Sequence, residues 1–259
     1  MQELLENEKV IEPFFIEFKD DFIHGNVITA SGNSDAPEVL FIHGCNPVEN
    51  SSDFLVLRQM LAEKYLVSSC AFDFPGHGNT GADWGESTIE LRTAQSVDII
   101  NACFDSQPLS IVASGLGAYT AIKLTQLVTV NNLILLVPAL CAYEACNINL
   151  GDNYNDFTEL TYSWPMTDAL SIIQFYEGGI SILGAGTGSS TQREVAGQLF
   201  ANALRAKERR AIDVFGKYGM SPMEYANHNP AVTRCILETI TDLCGNPANT
   251  GVGYSANAA

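Results

Sequence analysis

The chain has 259 residues, of which 46% are hydrophobic and 17% charged, enough for one large α/β domain with a real buried core. Its 13 Lys and Arg stand against 30 Asp and Glu, a formal net charge of −17 whose field repels nucleic acid and anionic membrane surfaces. The charged opening MQELLENEKV holds no apolar signal region and no apolar run reaches the ~18 residues of a membrane span, so a cytoplasmic protein with no membrane partner is expected.

In chain order, FFIEFKDDF and GNVITAS, near residues 14–31, read as a leading antiparallel pair. EVLFIHG (38–44) is an apolar strand run ending in glycine. In 51–65, Phe54, Leu57, Leu61 and Tyr65 fall on one helical face. LVSSCAFDFPG (66–76) is a strand closed by Pro-Gly, and Ser87 with Glu90 forms an S-x-x-E capping box opening a helix to about Ala102. LSIVAS (109–114) is a strand, GAYTAIKLTQLV (117–128) a helix and NNLILLVPA (131–139) a strand. GGISILGAG (178–186) and RRAIDVFG (209–216) are strands around a helix at 192–207. The helix 229–244 closes the series, with Asn229 as N-cap and Pro230 at its first position.

Repeated strand-then-helix units with wholly apolar strands imply a parallel sheet covered on both faces. The polar and aromatic stretch 141–166 breaks that rhythm and reads as a cap insertion over one end of the sheet. The expected organisation is one domain over 1–245 and a disordered tail over 246–259. Seven cysteines (45, 70, 103, 141, 146, 235 and 244) form no CxxC pair and no Cys/His metal spacing. They read as reduced thiols, and neither a metal nor a cofactor is expected.

Three loops, in this order, resemble those of the α/β-hydrolase family. FIHGCNP (41–47) is similar to the His-Gly loop after that family's third strand. FDFPGHGNTG (72–81) is similar to its Asp-x-Pro-Gly-His-Gly loop, and VASGLGAYTA (112–121) to its nucleophile elbow, usually G-x-S-x-G. The resemblance covers about residues 15–245. It implies a mostly parallel sheet flanked by helices on both faces, and an oxyanion-hole region at Gly44, Cys45, Asn46 and Leu116.

The elbow holds its nucleophile at positive φ between small residues, because strand and helix nearly touch there. With Gly115 in that position the flanks are Ala113 and Gly117. With Ser114 there they are Val112 and Leu116, which are too large. The reading adopted puts Gly115 at the nucleophile position. The resemblance sets the acid in the loop after ISILG, where Thr187 stands, and the base after the last strand, where Gly219 or Met220 stands. None of these can do triad chemistry, and triad members act as a unit.

Other residues have weaker credentials. His43 and His77 read as organisers of their loops, and His24 as exposed. His228 either approaches the pocket from the base side or sits outside a helix cap. Cys45 reads as a pocket wall, since no nearby base or positive field is visible to activate its thiol. Asp73 reads as structural. Trp84, Tyr154, Phe157, Tyr162 and Trp164 either line an apolar pocket or pack the insertion onto the sheet. GAGTGSS (184–190) lacks the lysine of a phosphate loop.

The expected function is a pseudo-hydrolase, with nucleophile, acid and base positions lost. It would bind a small apolar or acyl-type ligand in the inherited pocket, or a protein partner. The acidic charge is read as a solubility device, with a docking surface for a basic partner as the alternative. Two rival functions remain: an active esterase or thioesterase with relocated residues such as Ser114 and His228, and a non-hydrolytic lyase or cyclase using the same pocket.

Overall fold

Four successive apolar residues, Val39–Ile42, are buried on both faces at the middle of one sheet. The computed structural model describes residues 10–19, 21–30, 36–105, 109–151, 164–186, 188–216 and 221–244, and in it this strand is β3. The others are β1 (Val10–Phe18), β2 (Asp21–Thr29), β4 (Ser69–Phe72), β5 (Ser110–Ser114), β6 (Asn132–Leu136), β7 (Gly179–Ala185) and β8 (Glu208–Phe215). Among the described residues they form an eight-stranded sheet in the order β1-β2-β4-β3-β5-β6-β7-β8. β1 pairs antiparallel with β2, and β2 with β4; every pair from β4 to β8 is parallel.

The helices are α1 (Leu55–Tyr65), α2 (Ile89–Cys103), α3 (Gly117–Leu124), α4 (Ala169–Gln174), α5 (Ser190–Asn202), α6 (Pro222–Asn227) and α7 (Pro230–Cys244). The strand period of two sorts the central side chains into two cores. Leu40, Ile42, Ile111 and Ala113 join Ile89 and Ile99 of α2 and Ala118 and Ile122 of α3 on one face. Val39, Phe41 and Val112 join Leu57 and Leu61 of α1 and Ile236 and Ile240 of α7 on the other. That double burial is why the central strands read as unbroken apolar runs, whereas the edge strands β1 and β8 alternate.

The chain leaves β3 toward β4 on one side and returns through β5 toward β8 on the other. Ile42 and Ala113 are register partners, so the loops after β3 and β5 emerge side by side. Open α/β sheets bind ligands in the crevice at such a switch point. No helix among the described residues is long and apolar enough to cross a membrane.

The expected fold class is the one observed, with local corrections. α2 is capped by Thr88, which accepts from Leu91 N, rather than by Ser87, whose Oγ is taken by Arg92 Nε at 3.0 Å. The strand at 66–76 contracts to Ser69–Phe72. α5 starts earlier than expected, at a Ser189/Gln192 capping box, and ends at Asn202. The short helices α4 and α6 were not legible, being single turns without a full apolar period. Of the insertion expected at 141–166, the described parts include 3-10 helices at Tyr143–Asn147 and Trp164–Met166. Tyr154, Phe157 and Tyr162, like the tail 246–259, lie outside the described residues.

Arg58 ties α1 to the sheet although it is fully buried and forms no ion pair with a carboxylate among the described residues. Its Nη1 donates to Asn26 Oδ1 at 2.7 Å, its Nη2 to Asn26 O and Ser69 O, and its Nε to Ser69 Oγ at 3.1 Å. Removing the side chain strands those acceptors and opens a cavity. Arg58→Ala is expected to lower the unfolding free energy by about 3 kcal/mol, measured by urea denaturation.

Candidate functional site

The turn between β5 and α3 is the sharpest feature at the switch point. Gly115 sits there at φ +54°, in the left-handed region. Its N–H donates to Leu136 O at 3.0 Å, and its carbonyl accepts from Ala139 N at 2.9 Å and Ala118 N at 3.2 Å. A Cβ on Gly115 would meet only Gly44 Cα, at an ordinary van der Waals distance of 3.9 Å. Gly117 has no such room: a Cβ there would lie 2.6 Å from His43 O and 3.0 Å from Ile42 O. Ser114 is the last residue of β5 and is buried.

The loop after β3 supplies the facing wall. Gly44 O accepts from two donors, Arg92 Nη1 at 2.8 Å and His43 Nδ1 at 2.8 Å. Since the peptide is planar and trans, the Cys45 N–H on the same peptide points away from those donors. Cys45 O accepts from Trp84 Nε1 at 3.0 Å. The Cys45 thiol is pushed up by burial, which makes it a poor nucleophile. Asn46 N donates to Glu49 Oε2 at 3.3 Å, and that carboxylate stands 2.2 Å from where a Gly44 side chain would begin. Burial raises the Glu49 carboxyl as well.

Behind this loop lies a buried cationic cluster. Arg92 is fully enclosed, its Nε on Ser87 Oγ, its Nη2 on His77 Nε2 at 2.7 Å, and its guanidinium 4.4 Å above the Phe74 ring. His77 Nδ1 donates to Glu49 O at 2.7 Å. His43 Nε2 accepts from Phe74 N at 3.2 Å, so its one proton is on Nδ1. Both imidazoles are held neutral. Burial and then Arg92 push His43 well below its usual value and His77 down to about 4. Asp73, read as structural, accepts from Ser51 N at 2.7 Å and Asn79 N at 3.0 Å.

The positions expected for acid and base, Thr187, Gly219 and Met220, lie outside the described residues. Asp213 of β8 borders the acid loop, 3.1 Å from where a Gly186 side chain would begin, but it is exposed. His228 is exposed at the end of α6, with its Nδ1 on Glu224 O at 2.8 Å. His24 packs edge-on against Phe15. Among the described residues no histidine ring hydrogen-bonds a carboxylate, and none bonds Ser114.

Sequence reasoning missed Arg92, Glu49 and a second polar group around Tyr119 and Asp168. In that group Tyr119 donates to Asp168, Cys146 Sγ lies 3.3 Å from Tyr119 Oη, and Lys123 Nζ reaches Glu90 at 3.0 Å and Asp168 at 3.4 Å. Arg92 did leave a signal, since it falls at helical spacing among Ile89, Ser96 and Ile99 on the buried stripe of α2. Among the described residues no group of three His, Cys, Asp or Glu is placed to hold a metal ion.

The neutral histidines link stability to pH. An unfolded imidazole titrates near 6.5, so between about pH 6.5 and 4 the unfolded chain binds protons that folded His77 refuses. The contribution is complete above the unfolded value and is lost as the pH falls. The buried carboxyl of Glu49, shifted upward, acts in the opposite sense, so the variant difference is the informative quantity. His77→Gln is expected to lose about 1–2 kcal/mol less stability than the parent between pH 7 and pH 5, measured by urea denaturation at both values.

A family model described as "Uncharacterised protein family (UPF0227)" matches residues 82–174. A search of curated proteins finds no match. Solved structures match over nearly the whole chain. The thioesterase domain from the curacin biosynthetic pathway is 15% identical, with TM-score 0.64, covering 88% of this chain and 99% of that one. Est1E from Butyrivibrio proteoclasticus, with ferulic acid bound, is 12% identical at TM-score 0.67, covering 90% and 99%. Alpha/beta hydrolase domain-containing protein 10 from mouse is 16% identical at TM-score 0.64, covering 90% and 98%. With its strand order, crossover pattern and elbow, and with these structural likenesses, the chain is an α/β-hydrolase-fold protein.

Proposed function

We propose that this chain is a non-catalytic α/β-hydrolase-fold protein, a pseudo-hydrolase. It would be a single cytoplasmic domain over 1–245 with a cap at about 141–166. It binds a small apolar or acyl-type ligand, or a protein partner, at the crevice beyond β3 and β5. The observation that carries this reading is Gly115, at φ +54° on the elbow and opposite Gly44 Cα. At the point where a nucleophile is needed there is no side chain.

Two further features support it. The Glu49 carboxyl lies beside Gly44 in the expected oxyanion-hole region, and in its ionised form it would oppose the charge that acyl transfer develops there. The relocated pair Ser114 and His228 gains no support, because Ser114 is buried at the end of β5 while His228 is held by the Glu224 carbonyl.

Short and long p-nitrophenyl esters and acyl thioesters are expected to show no turnover, and a fluorophosphonate probe no label. A covalent adduct on any serine would overturn the reading. Gly115→Ser is expected to lower stability by about 1–2 kcal/mol, because a Cβ at positive φ is strained even with space around it. It is expected to create no esterase activity, and a stabilised or active variant contradicts the account.

A further inference from the structure

Ile99 of α2 and Cys103, four residues on, share one stripe of that helix, and both pack into the core on its face of the sheet. Cys70 of β4 stands in register between Val27 of β2 and Leu40 of β3, and its side chain joins the same core. The last residue of α2 is thereby set over β4, and the two thiols hydrogen-bond to each other. That contact is the approach a disulfide needs.

The two differ in exposure. Cys70 is fully buried, whereas Cys103 is partly exposed and open to a reagent from solvent. The hydrogen bond from Cys70 favours the Cys103 thiolate and holds that thiol below its usual value. An accessible thiol inclined to ionise, with a second thiol behind it, is the arrangement that redox chemistry uses. Cys141 and Cys146 are also in contact, but both are fully buried, so that pair lacks an accessible member.

We propose that Cys103 and Cys70 are a redox modification site, closed to a disulfide by hydrogen peroxide and reopened by a dithiol. The Cys103 thiolate attacks one peroxide oxygen. An S–O bond forms as the O–O bond breaks, and the departing hydroxide takes a proton to leave as water. The Cys70 sulfur then attacks the sulfenic sulfur of Cys103. The S–S bond forms, the S–O bond breaks, and the hydroxyl leaves with the Cys70 proton as a second water. The two thiols lose two electrons and the peroxide gains them. A dithiol reverses the change by exchange and becomes a disulfide itself.

The bond would close a loop that carries Asp73, His77 and Arg92, and would tie the end of α2 to β4. Closing a loop of this size restricts the unfolded chain and raises stability. Neither cysteine belongs to the elbow, so this proposal and the pseudo-hydrolase reading fail separately.

The test treats the full chain, reduced and freed of reductant, with equimolar hydrogen peroxide. Free thiols are then counted in denaturant, and unreduced peptides are mapped by mass spectrometry. The expected result is the loss of two of the seven free thiols, with Cys70 and Cys103 in one cross-linked peptide. Dithiothreitol is expected to restore both. The cross-linked chain is expected to melt ~5 °C higher than the reduced one. Cys103→Ser, checked for folding by circular dichroism, is expected to show neither the cross-link nor the rise. Retention of all seven thiols, linkage through other cysteines, or a Cys103 sulfinic acid beside a free Cys70 thiol overturns the proposal. So does a cross-linked chain with an unchanged melting temperature, or a folded Cys103→Ser variant that still loses two thiols.

Discussion

The main-chain oxygens of Ile42 and His43 lie so close to Gly117 that no side chain fits between them. This contact sets how near the first turn of α3 comes to the end of β3. It brings the loop after β3 against the turn after β5, with Gly44 Cα and Gly115 as facing walls. The crevice exists because one helix is allowed to approach one strand at backbone distance. The parallel pairing of Ile42 with Ala113 delivers both chain segments to the same end of the sheet.

The buried Arg92 works on top of that contact. A guanidinium removed from water is expensive, and among the described residues no carboxylate pairs with it; its acceptors are a hydroxyl, a carbonyl and an imidazole, with a ring face beneath. Its planar fork engages these groups at once, which a lysine ammonium does not reproduce. Arg92 thereby fixes the Gly44–Cys45 peptide, and burial first and Arg92 second keep His77 from taking a proton near neutral pH. The histidines of these loops are therefore parts of the scaffold, with their protons committed to backbone carbonyls.

Architecture and chemistry separate in this molecule. The strand order, the elbow and the loop after β3 are all present, while Gly115 offers no side chain at the turn and no described histidine ring hydrogen-bonds a carboxylate. A fold hosts many functions, and the function is argued from the site. Glycine holds this φ without the strain a side chain would add, so the turn between β5 and α3 persists as packing.

Much of this was legible in the amino-acid order because it rests on local rules. Apolar runs of four or five residues marked the strands buried on both faces, and the small residues Ala113 and Gly117 marked where strand and helix close up. Local signals failed where two hydroxyls compete for one helix end. Ser87 lost the cap of α2 to Thr88 because Arg92, five residues on, claimed its oxygen. By itself, then, the sequence determined the layer order and the small residues around Gly115 at the turn, since each depends on residues close together along the chain. Only the tertiary structure decided that Arg92 turns inward onto Gly44 and that Glu49 folds back over the same loop. Those outcomes depend on which distant groups are brought within hydrogen-bond reach in a space without water, and no local pattern encodes that.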